Sequence, residues 1–247
     1  MFDPMGDRFK AYENVAEQVL PARLPVLLRL DGNSFSKLTK RLKFKKPFDD
    51  LFDGAMEEAA LAVLRYCSGA RFAFIESDEI TIALRNDQTV ETTPFLANRT
   101  QKIASLTAAT ASVAFNSYLR AGFMEELEVD GIFDCRVYVV PESDLNNAIL
   151  WRQFDSRRNC ISGYAYYRVK ESPNHSLKML DKMSTADRSK MLADDFGLPE
   201  DKIPRHHLFG RMIYRQDTRW IVDKNLPFFK DDQNFVYNLF YGETPKN

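Results

Sequence analysis

The chain has 247 residues, of which 45% are hydrophobic and 19 are phenylalanine, so it can bury a substantial core and is not of the disordered class. Its 34 lysines and arginines are balanced by 35 acids, and a formal net charge of −1 lacks the basic excess of a typical nucleic-acid-binding protein. Cations do cluster locally, because residues 37–46 (KLTKRLKFKK) contain no acid.

The chain shows no apolar run near 18 residues and no signal-peptide pattern at its start, so we expect no membrane partner and a cytoplasmic location. An odd number of well-separated cysteines argues against a disulfide framework or a cysteine zinc site and fits a reducing compartment. These cysteines are Cys67, Cys135 and Cys160. The adjacent pair His206 and His207 is predicted to lie in a loop.

The first predicted element is a buried strand over Leu24–Leu30, which ends at Asp31 and Gly32. A helix follows within residues 47–67, where apolar residues recur at helical spacing and acids lie near the start. Two short strands come next, Phe72–Ile75 and Ile80–Leu84. The residues between these two strands, ESDE, include no glycine, proline or asparagine for an ordinary hairpin turn.

A second helix is predicted within residues 93–119, and another strand within residues 131–141 (GIFDCRVYVVP). The helix is predicted to place one face inward, formed by Ile103, Leu106, Thr110, Val113 and Tyr118. The resulting βαββαβ order is the ferredoxin-like arrangement, an antiparallel sheet with helices on one face and the first and third strands central.

We therefore predict an α+β fold with a ferredoxin-like, RRM-like sheet of the polymerase-palm type. Residues 1–142 are predicted to form the palm-like catalytic domain. Residues 143–247 are predicted to form a helical and hairpin extension packed on it, with a helix within 175–197 and a charged hairpin within 210–225.

In this arrangement the end of the first strand lies beside the turn between the second and third strands, so Asp31 faces Asp78 and Glu79. Clustered carboxylates repel one another unless a cation meets them, and hard oxygen ligands suit Mg²⁺ together with substrate phosphates. Paired metal ions held in this way support in-line phosphoryl or nucleotidyl transfer. On the residues alone, a solvated acidic turn explains the pattern equally well.

Five motifs, RLDGNSFSKLTK, KKPFDD, SDE, FDCRVYVVP and LWRQFDSRRN, occur in the order and spacing of a known family. Through them the chain resembles the tRNA-His guanylyltransferase family, and most of all its bacterial, archaeal and phage Thg1-like branch. The resemblance runs from about residue 6 to 170 and more loosely to about 215. It implies a palm enzyme that adds nucleotides in the 3′→5′ direction to the 5′ end of a tRNA, in this branch by copying the opposite strand.

The resemblance implies that Asp31, Asp78 and Glu79 are catalytic and that Asp31, Gly32 (through its carbonyl) and Asp78 bind metal. It implies a nucleotide-binding set of Asn33, Ser34, Phe35, Ser36, Lys46, Asp49, Ser77, Arg29, Lys102 and Arg136. Ser36 stands where the family commonly has a histidine. It also implies RNA contacts by Arg152, Arg157, Arg158 and Asn159, in a segment that keeps only the first asparagine of the HINN motif associated with selecting tRNA-His.

By the same resemblance we expect two Mg²⁺ ions, ATP or GTP as substrates, a tRNA or other RNA with a recessed 5′ end as partner, and a homotetramer. Two alternatives remain open at this point. A palm-type nucleotide cyclase acting on NTPs is one, although its GGDEF-type hairpin is missing. A non-catalytic RNA-binding module is the other, although it predicts stacking aromatics where the central strands carry Arg29, Asp31, Arg136 and Tyr138.

Overall fold

The computed structural model describes residues 3–123 and 130–242, and its centre is a six-stranded antiparallel sheet ordered β4-β1-β3-β2-β5-β6. The first four strands have the ferredoxin-like order, with β1 between β3 and β4, so the palm-like α+β prediction is confirmed. The strands are β1 Val26–Gly32, β2 Ala70–Glu76, β3 Glu79–Leu84, β4 Phe133–Val139, β5 Arg211–Gln216 and β6 Arg219–Asp223.

Eight α-helices lie in the described residues, and none of them is long and apolar enough to cross a membrane. They are α1 Pro4–Asn14, α2 Phe35–Arg41, α3 Asp50–Tyr66, α4 Thr100–Phe123, α5 Leu145–Glu171, α6 Thr185–Phe196, α7 Arg205–Phe209 and α8 Phe235–Tyr241.

Helix α1 was not predicted, although its start carries two sequence signals. The side chain of Asp3 accepts a hydrogen bond from the N–H of Gly6 (2.9 Å), and Pro4 occupies the first turn, where a missing N–H costs nothing. None of the side chains of α1 is buried.

The main core lies between the sheet and helices α3 and α4. Alternate residues of the strands, such as Leu28, Leu30 and Ile82, pack against the buried face of α3. That face contains several small residues, including Ala55 and Ala59, which are fully buried and let the helices approach closely. This layer follows directly from the period-two and helical patterns in the sequence.

The predicted inward face of α4 was correct for Ile103 and wrong for Leu106, Val113 and Tyr118. The buried residues follow a four-residue step, Ile103, Thr107, Ala111, Phe115 and Leu119, whereas Leu106, Val113 and Tyr118 are exposed. The small residues Thr107 and Ala111 fit where α4 lies close to the sheet. The hydroxyl of Thr107 donates to the carbonyl of Ile103 (2.7 Å), so it is buried without an unsatisfied polar group.

Helices of the C-terminal extension cover the second face of the sheet, in addition to α3 and α4 on the first face. Helix α5 and the short α8 pack on Leu27, Phe72 and Phe74 through a second apolar cluster. A third cluster joins α5 to α6 and α7. The cations and acids on this face of β1 and β3 are therefore enclosed between the sheet and α5.

The hairpin predicted within residues 210–225 is present as β5 and β6, and β5 pairs with β2 so that the sheet continues into residues 143–247. The predicted helix within 175–197 is divided. A 3₁₀ turn covers Leu177–Lys182, and α6 begins after Ser184, whose side chain forms a capping box with Asp187.

Two glycines in the left-handed region provide a matched stability test. Gly69 has φ +78°, and a Cβ added there would lie 2.3 Å from the carbonyl oxygen of Arg85; Gly197 has φ +61° and no atom within 4 Å of an added Cβ. Both changes to alanine carry the left-handed penalty of about 1–2 kcal/mol. Gly69→Ala should lose clearly more stability in urea unfolding than Gly197→Ala, because only it forces backbone to move. Equal losses would contradict this view of the α3–β2 turn.

Candidate active site

The end of β1 meets the β2–β3 turn, as the fold prediction requires. Asp31 lies opposite Glu79 of β3 and opposite Asp134 of β4. The N–H of Gly32 donates to the carbonyl of Asp78 (3.0 Å), which ties the strand end to the turn. The predicted acids are therefore brought together, and Asp134 joins them. Asp134 lies in the sequence motif FDCRVYVVP, but only the register of β4 against β1 shows that it is close to Asp31.

The turn between β2 and β3 has only two residues, Ser77 and Asp78, because Glu76 and Glu79 already form a pair. Ser77 has φ +48°, a conformation that is uncommon for residues other than glycine. Ser34, in the loop after β1, also has a positive φ of 59°. Such backbone conformations are often found at functional sites, where surrounding structure holds them.

The acids of this site are difficult to ionise. Burial raises the pKa of Asp31, and the charges of Asp78 and Asp134 raise it further. Burial also raises the pKa of Asp78, although its own N–H, Ser77 and Lys46 oppose the change. A cation would relieve both effects. The two half-buried carboxylates form an oxygen-only donor set, which fits Mg²⁺.

A cavity of about 270 Å³ opens beside Asp78. The side chain of Lys46 enters it, donates to the hydroxyl of Thr39 (2.8 Å) and is attracted by Asp49 and Asp78. Burial outweighs that attraction and lowers the pKa of Lys46. The cavity gathers six of the predicted site residues, Phe35, Ser36, Lys46, Asp49, Ser77 and Asp78.

The loop after β1 is held from both sides. The N–H of Asn33 donates to the carbonyl of Ile132 (2.8 Å), and the exposed Asn33 and Ser34 precede α2. The N–H groups of Phe35 and Ser36 open α2, where they lack partners within the helix and can meet an anion. The Phe35 ring is buried against other aromatic rings, so its contribution to a nucleotide site is to anchor the loop.

Asp49 lines the cavity, but its carboxylate also caps α3. One oxygen accepts from the N–H of Leu51 (2.9 Å) and Phe52 (3.3 Å), and the other accepts from the N–H of Lys45 (2.8 Å). Asp49 therefore shapes the segment that carries Lys46.

Arg152 is not placed to contact RNA, which corrects its predicted role. It is 7% exposed, and its guanidinium is divided among three carboxylates. Its Nε lies 2.5 Å from Glu79, one Nη lies 3.0 Å from Glu76, and the other lies 2.8 Å from Asp155. These acids face α5 inside the protein, where a buried charge needs a partner. The Oε1 atom of Glu79 is thereby held by Arg152.

The other residues predicted to contact RNA differ in their solvent exposure and in their ion pairs. Arg157 makes two hydrogen bonds to the carboxylate of Glu200 (2.9 and 2.6 Å). Arg158 is largely exposed and pairs with Asp155 at 2.7 Å. Asn159 is exposed and lines a small cavity that also contains Lys46. Arg158 and Asn159 are thus the more accessible of these side chains.

A second cavity, of about 520 Å³, contains Arg29, Arg136 and Trp151. The guanidinium of Arg29 lies 5.6 Å from the centre of the Trp151 ring and 3.8 Å from a carboxylate oxygen of Glu79. Trp151 is 52% exposed, so its ring is accessible beside these two arginines. Lys102 is exposed near the start of α4, on the helix layer of the opposite sheet face, and is not among the residues lining this cavity.

Comparisons with known proteins agree with this geometry. The family profile described as Thg1, tRNAHis guanylyltransferase, matches residues 6–141. A probable tRNA(His) guanylyltransferase of Dictyostelium discoideum is 25% identical over 78% of this chain and 76% of its own. A bacterial Thg1-like protein solved in complex with ATP superposes with a TM-score of 0.88, 31% identity and coverage of 96% of this chain and 99% of that one. A bacterial Thg1-like protein in complex with GTP superposes with a TM-score of 0.80 and 29% identity, and the match covers 97% of this chain and 100% of that one.

The fold and the paired carboxylates define a nucleotidyltransferase with a palm-like sheet. Since the profile covers more than half of the chain, the protein belongs to the tRNA-His guanylyltransferase (Thg1) family. The family resemblance found in the sequence is confirmed, and with it the prediction of a nucleotidyltransferase.

Removing Arg152 should destabilise the protein far more than removing its exposed neighbour. Arg152→Ala leaves the carboxylates of Glu79 and Asp155 without their shared cation and Glu76 without its hydrogen-bond donor, so we expect a loss of about 3–5 kcal/mol. Arg158→Ala, on the same helix and bound to the same Asp155, should change stability by less than about 0.5 kcal/mol because its side chain is 60% exposed. Urea unfolding measures both, and similar small losses would show that the buried network is not important for stability.

Glu76 should give the protein a pH-dependent stability. Burial and the neighbouring Glu79 outweigh Arg152 and raise the pKa of Glu76 from 4.5 to about 8. The native state then binds more protons than the unfolded state between these values, so stability should fall as pH rises through this range. Glu76→Gln removes the titrating group and should flatten that fall in urea midpoints measured from pH 5 to 8. An unchanged pH profile in the variant would contradict the assignment.

Proposed function

We propose that this chain is a Mg²⁺-dependent 3′-5′ nucleotidyltransferase that adds template-directed nucleotides to the 5′ end of a tRNA or another RNA with a recessed 5′ end. The observation that carries the proposal is the meeting of Asp31 and Asp78 beside the cavity that Lys46 enters. The ATP and GTP complexes of the bacterial Thg1-like proteins support nucleoside triphosphates as its substrates.

The reaction has two steps. In the first, an oxygen of the RNA 5′-monophosphate attacks the α-phosphorus of ATP or GTP, a new P–O bond forms, and pyrophosphate leaves. In the second, the 3′-hydroxyl of another NTP attacks the RNA 5′-phosphorus, AMP or GMP leaves, and the hydroxyl proton passes to solvent. The RNA product of the second step is one nucleotide longer at its 5′ end.

The residues of the cavity bind and orient the first nucleotide. Lys46 supplies positive charge for the triphosphate, and the N–H groups of Phe35 and Ser36 donate to its oxygens. Ser36 offers a hydroxyl donor where relatives commonly have an imidazole. Asp31, Asp78 and the Gly32 carbonyl would hold two Mg²⁺ ions, which when bound lower the pKa of an attacking hydroxyl and offset charge on the transferred phosphoryl group.

The second cavity is suited to the second nucleotide. Arg29 and Arg136 provide cations for its phosphates, and the exposed Trp151 ring lies beside them. On the outer side of α5, Arg158 and Asn159 are accessible to RNA. Lys102 is separated from this cavity by its place on α4, so it is assigned no phosphate contact here.

We also propose a homotetramer in the cytoplasm. The three cysteines are unpaired, which fits a reducing compartment. Helix α1 exposes Met5, Phe9 and Tyr12 at helical spacing, which supports contact with another subunit. Light scattering of the purified chain measures the assembly directly.

The test uses a tRNA that lacks its 5′ nucleotide and bears a 5′-monophosphate, with Mg²⁺, ATP and all four NTPs. Extension should follow the opposing base when that base is changed. Asp31→Asn and Asp78→Asn should each lower the rate by roughly 100-fold or more, because they remove ligands for transition-state charge. Circular dichroism should show that both variants remain folded.

Asp130→Asn is the matched control, because Asp130 is an exposed acid paired with Arg120 away from the cavity. It should retain the wild-type rate. Conversion of NTPs into a cyclic product without RNA extension would instead identify a cyclase-like enzyme and overturn the proposal.

A further inference from the structure

A cluster of potential metal ligands lies at the edge of the nucleotide cavity. In residues 3–123 and 130–242 one group of three side chains places its ligand atoms within 4.8 Å of one another, namely Asp53, His206 and His207. The Nε2 atoms of His206 and His207 lie 3.9 and 3.6 Å from Oδ2 of Asp53. The predicted loop for this histidine pair was wrong, since both residues lie in α7.

The surroundings of the cluster hold its members in orientation. The second carboxylate oxygen of Asp53 lies 3.2 Å from a guanidinium nitrogen of Arg211, so Oδ2 remains for the histidines. The Tyr164 hydroxyl lies 3.3 Å from Nδ1 of His207, and the Phe48 ring stacks on the imidazole with centroids 3.9 Å apart. Hydrogen bonds to the far atoms of metal ligands are the usual means of fixing ligand geometry in metal sites.

The charges suit a ligand set of one carboxylate and imidazole nitrogens. The Asp53 carboxylate is 6% exposed and has both imidazoles within 3.9 Å of one oxygen and Arg211 within 3.2 Å of the other. Each neutral imidazole offers one ring-nitrogen lone pair to a metal ion, and the carboxylate adds a charged oxygen ligand. The guanidinium of Arg211 is itself balanced by Glu57 at 2.7 Å.

We propose that Asp53, His206 and His207 bind a divalent transition-metal ion of the Zn²⁺ class, at a site separate from the Asp31–Asp78 pair. Two imidazoles and a carboxylate are a common zinc set that leaves a fourth position open, whereas Mg²⁺ favours oxygen ligands. Tetrahedral ligands at about 2.0–2.1 Å from zinc are about 3.3 Å apart. The two histidine-to-carboxylate separations, 3.6 and 3.9 Å, exceed this value by about 0.3 and 0.6 Å, and all three ligand atoms lie within 4.8 Å of one another.

The place of the site in the fold gives it a structural consequence. Asp53 belongs to α3 of the palm and the histidines to α7, so the ion joins two segments about 150 residues apart in sequence. Phe48, which stacks on His207, lies two residues after Lys46. The ion therefore fixes the base of the loop that carries Lys46 into the nucleotide cavity.

The experiment measures metal binding by the full chain without nucleotide or RNA. Protein stripped with EDTA is dialysed against Zn²⁺ or Co²⁺ in the presence of excess Mg²⁺, and bound metal is determined by elemental analysis. We expect about one Zn²⁺ per chain, a visible Co²⁺ absorption band of a four-coordinate site, and a higher melting temperature with Zn²⁺. Absence of stoichiometric binding by the wild-type chain overturns the proposal.

Variants assign the ligands. His206→Gln and His207→Gln should each weaken Zn²⁺ binding by roughly 100-fold or more, and Tyr164→Phe, which leaves all three ligands in place, by roughly 10-fold. His175→Gln changes the remaining histidine, which pairs with Asp195, and should bind like the wild type. Asp78→Asn should also bind normally, which separates this result from any failure of the proposed reaction. Unchanged affinity in the folded His206 and His207 variants overturns the assignment.

Discussion

The arrangement of the site depends on one buried guanidinium. Arg152 of α5 lies between Glu76 and Glu79, the residues on either side of the β2–β3 turn, and also binds Asp155 on its own helix. Without that cation the face of the sheet under α5 would hold uncompensated carboxylates, which is strongly unfavourable. Arg152 thus links the β2–β3 hairpin to α5, and Asp78 of the same hairpin lines the cavity.

Asp78 lies at the tip of the same hairpin, and Asp31 lies beside that tip at the end of β1. Asp31 and Asp78 both have raised pKa values, and Lys46 is the cation whose charge acts on Asp78. The β2–β3 hairpin therefore contributes Glu76 and Glu79 to the contact with α5 and Asp78 to the wall of the cavity. Arg152 forms ion pairs with Glu76 and Glu79, and its charge also acts on Asp31, where it opposes the effect of burial on the pKa.

Much of the fold could be read from local patterns. Alternation and helical spacing located β1 to β4, α3 and the β5–β6 hairpin, and the βαββαβ order alone predicted that Asp31 lies opposite the acidic turn. The inward face of α4 could not be read in this way. Thr107 and Ala111 are buried because the helix lies close to the sheet, and hydropathy alone favoured the exposed Leu106 and Val113.

The sequence by itself determined the palm order, the family motifs and the meeting of Asp31 with Asp78, because strand order and register convert sequence position into proximity. Only the tertiary structure decided which cations are free. Arg152 was predicted to contact RNA, but its carboxylate partners lie more than 70 residues away in Glu76 and Glu79. Likewise, the two adjacent histidines become a potential metal site only because α7 packs against Asp53, and no local pattern encodes a contact between such distant segments.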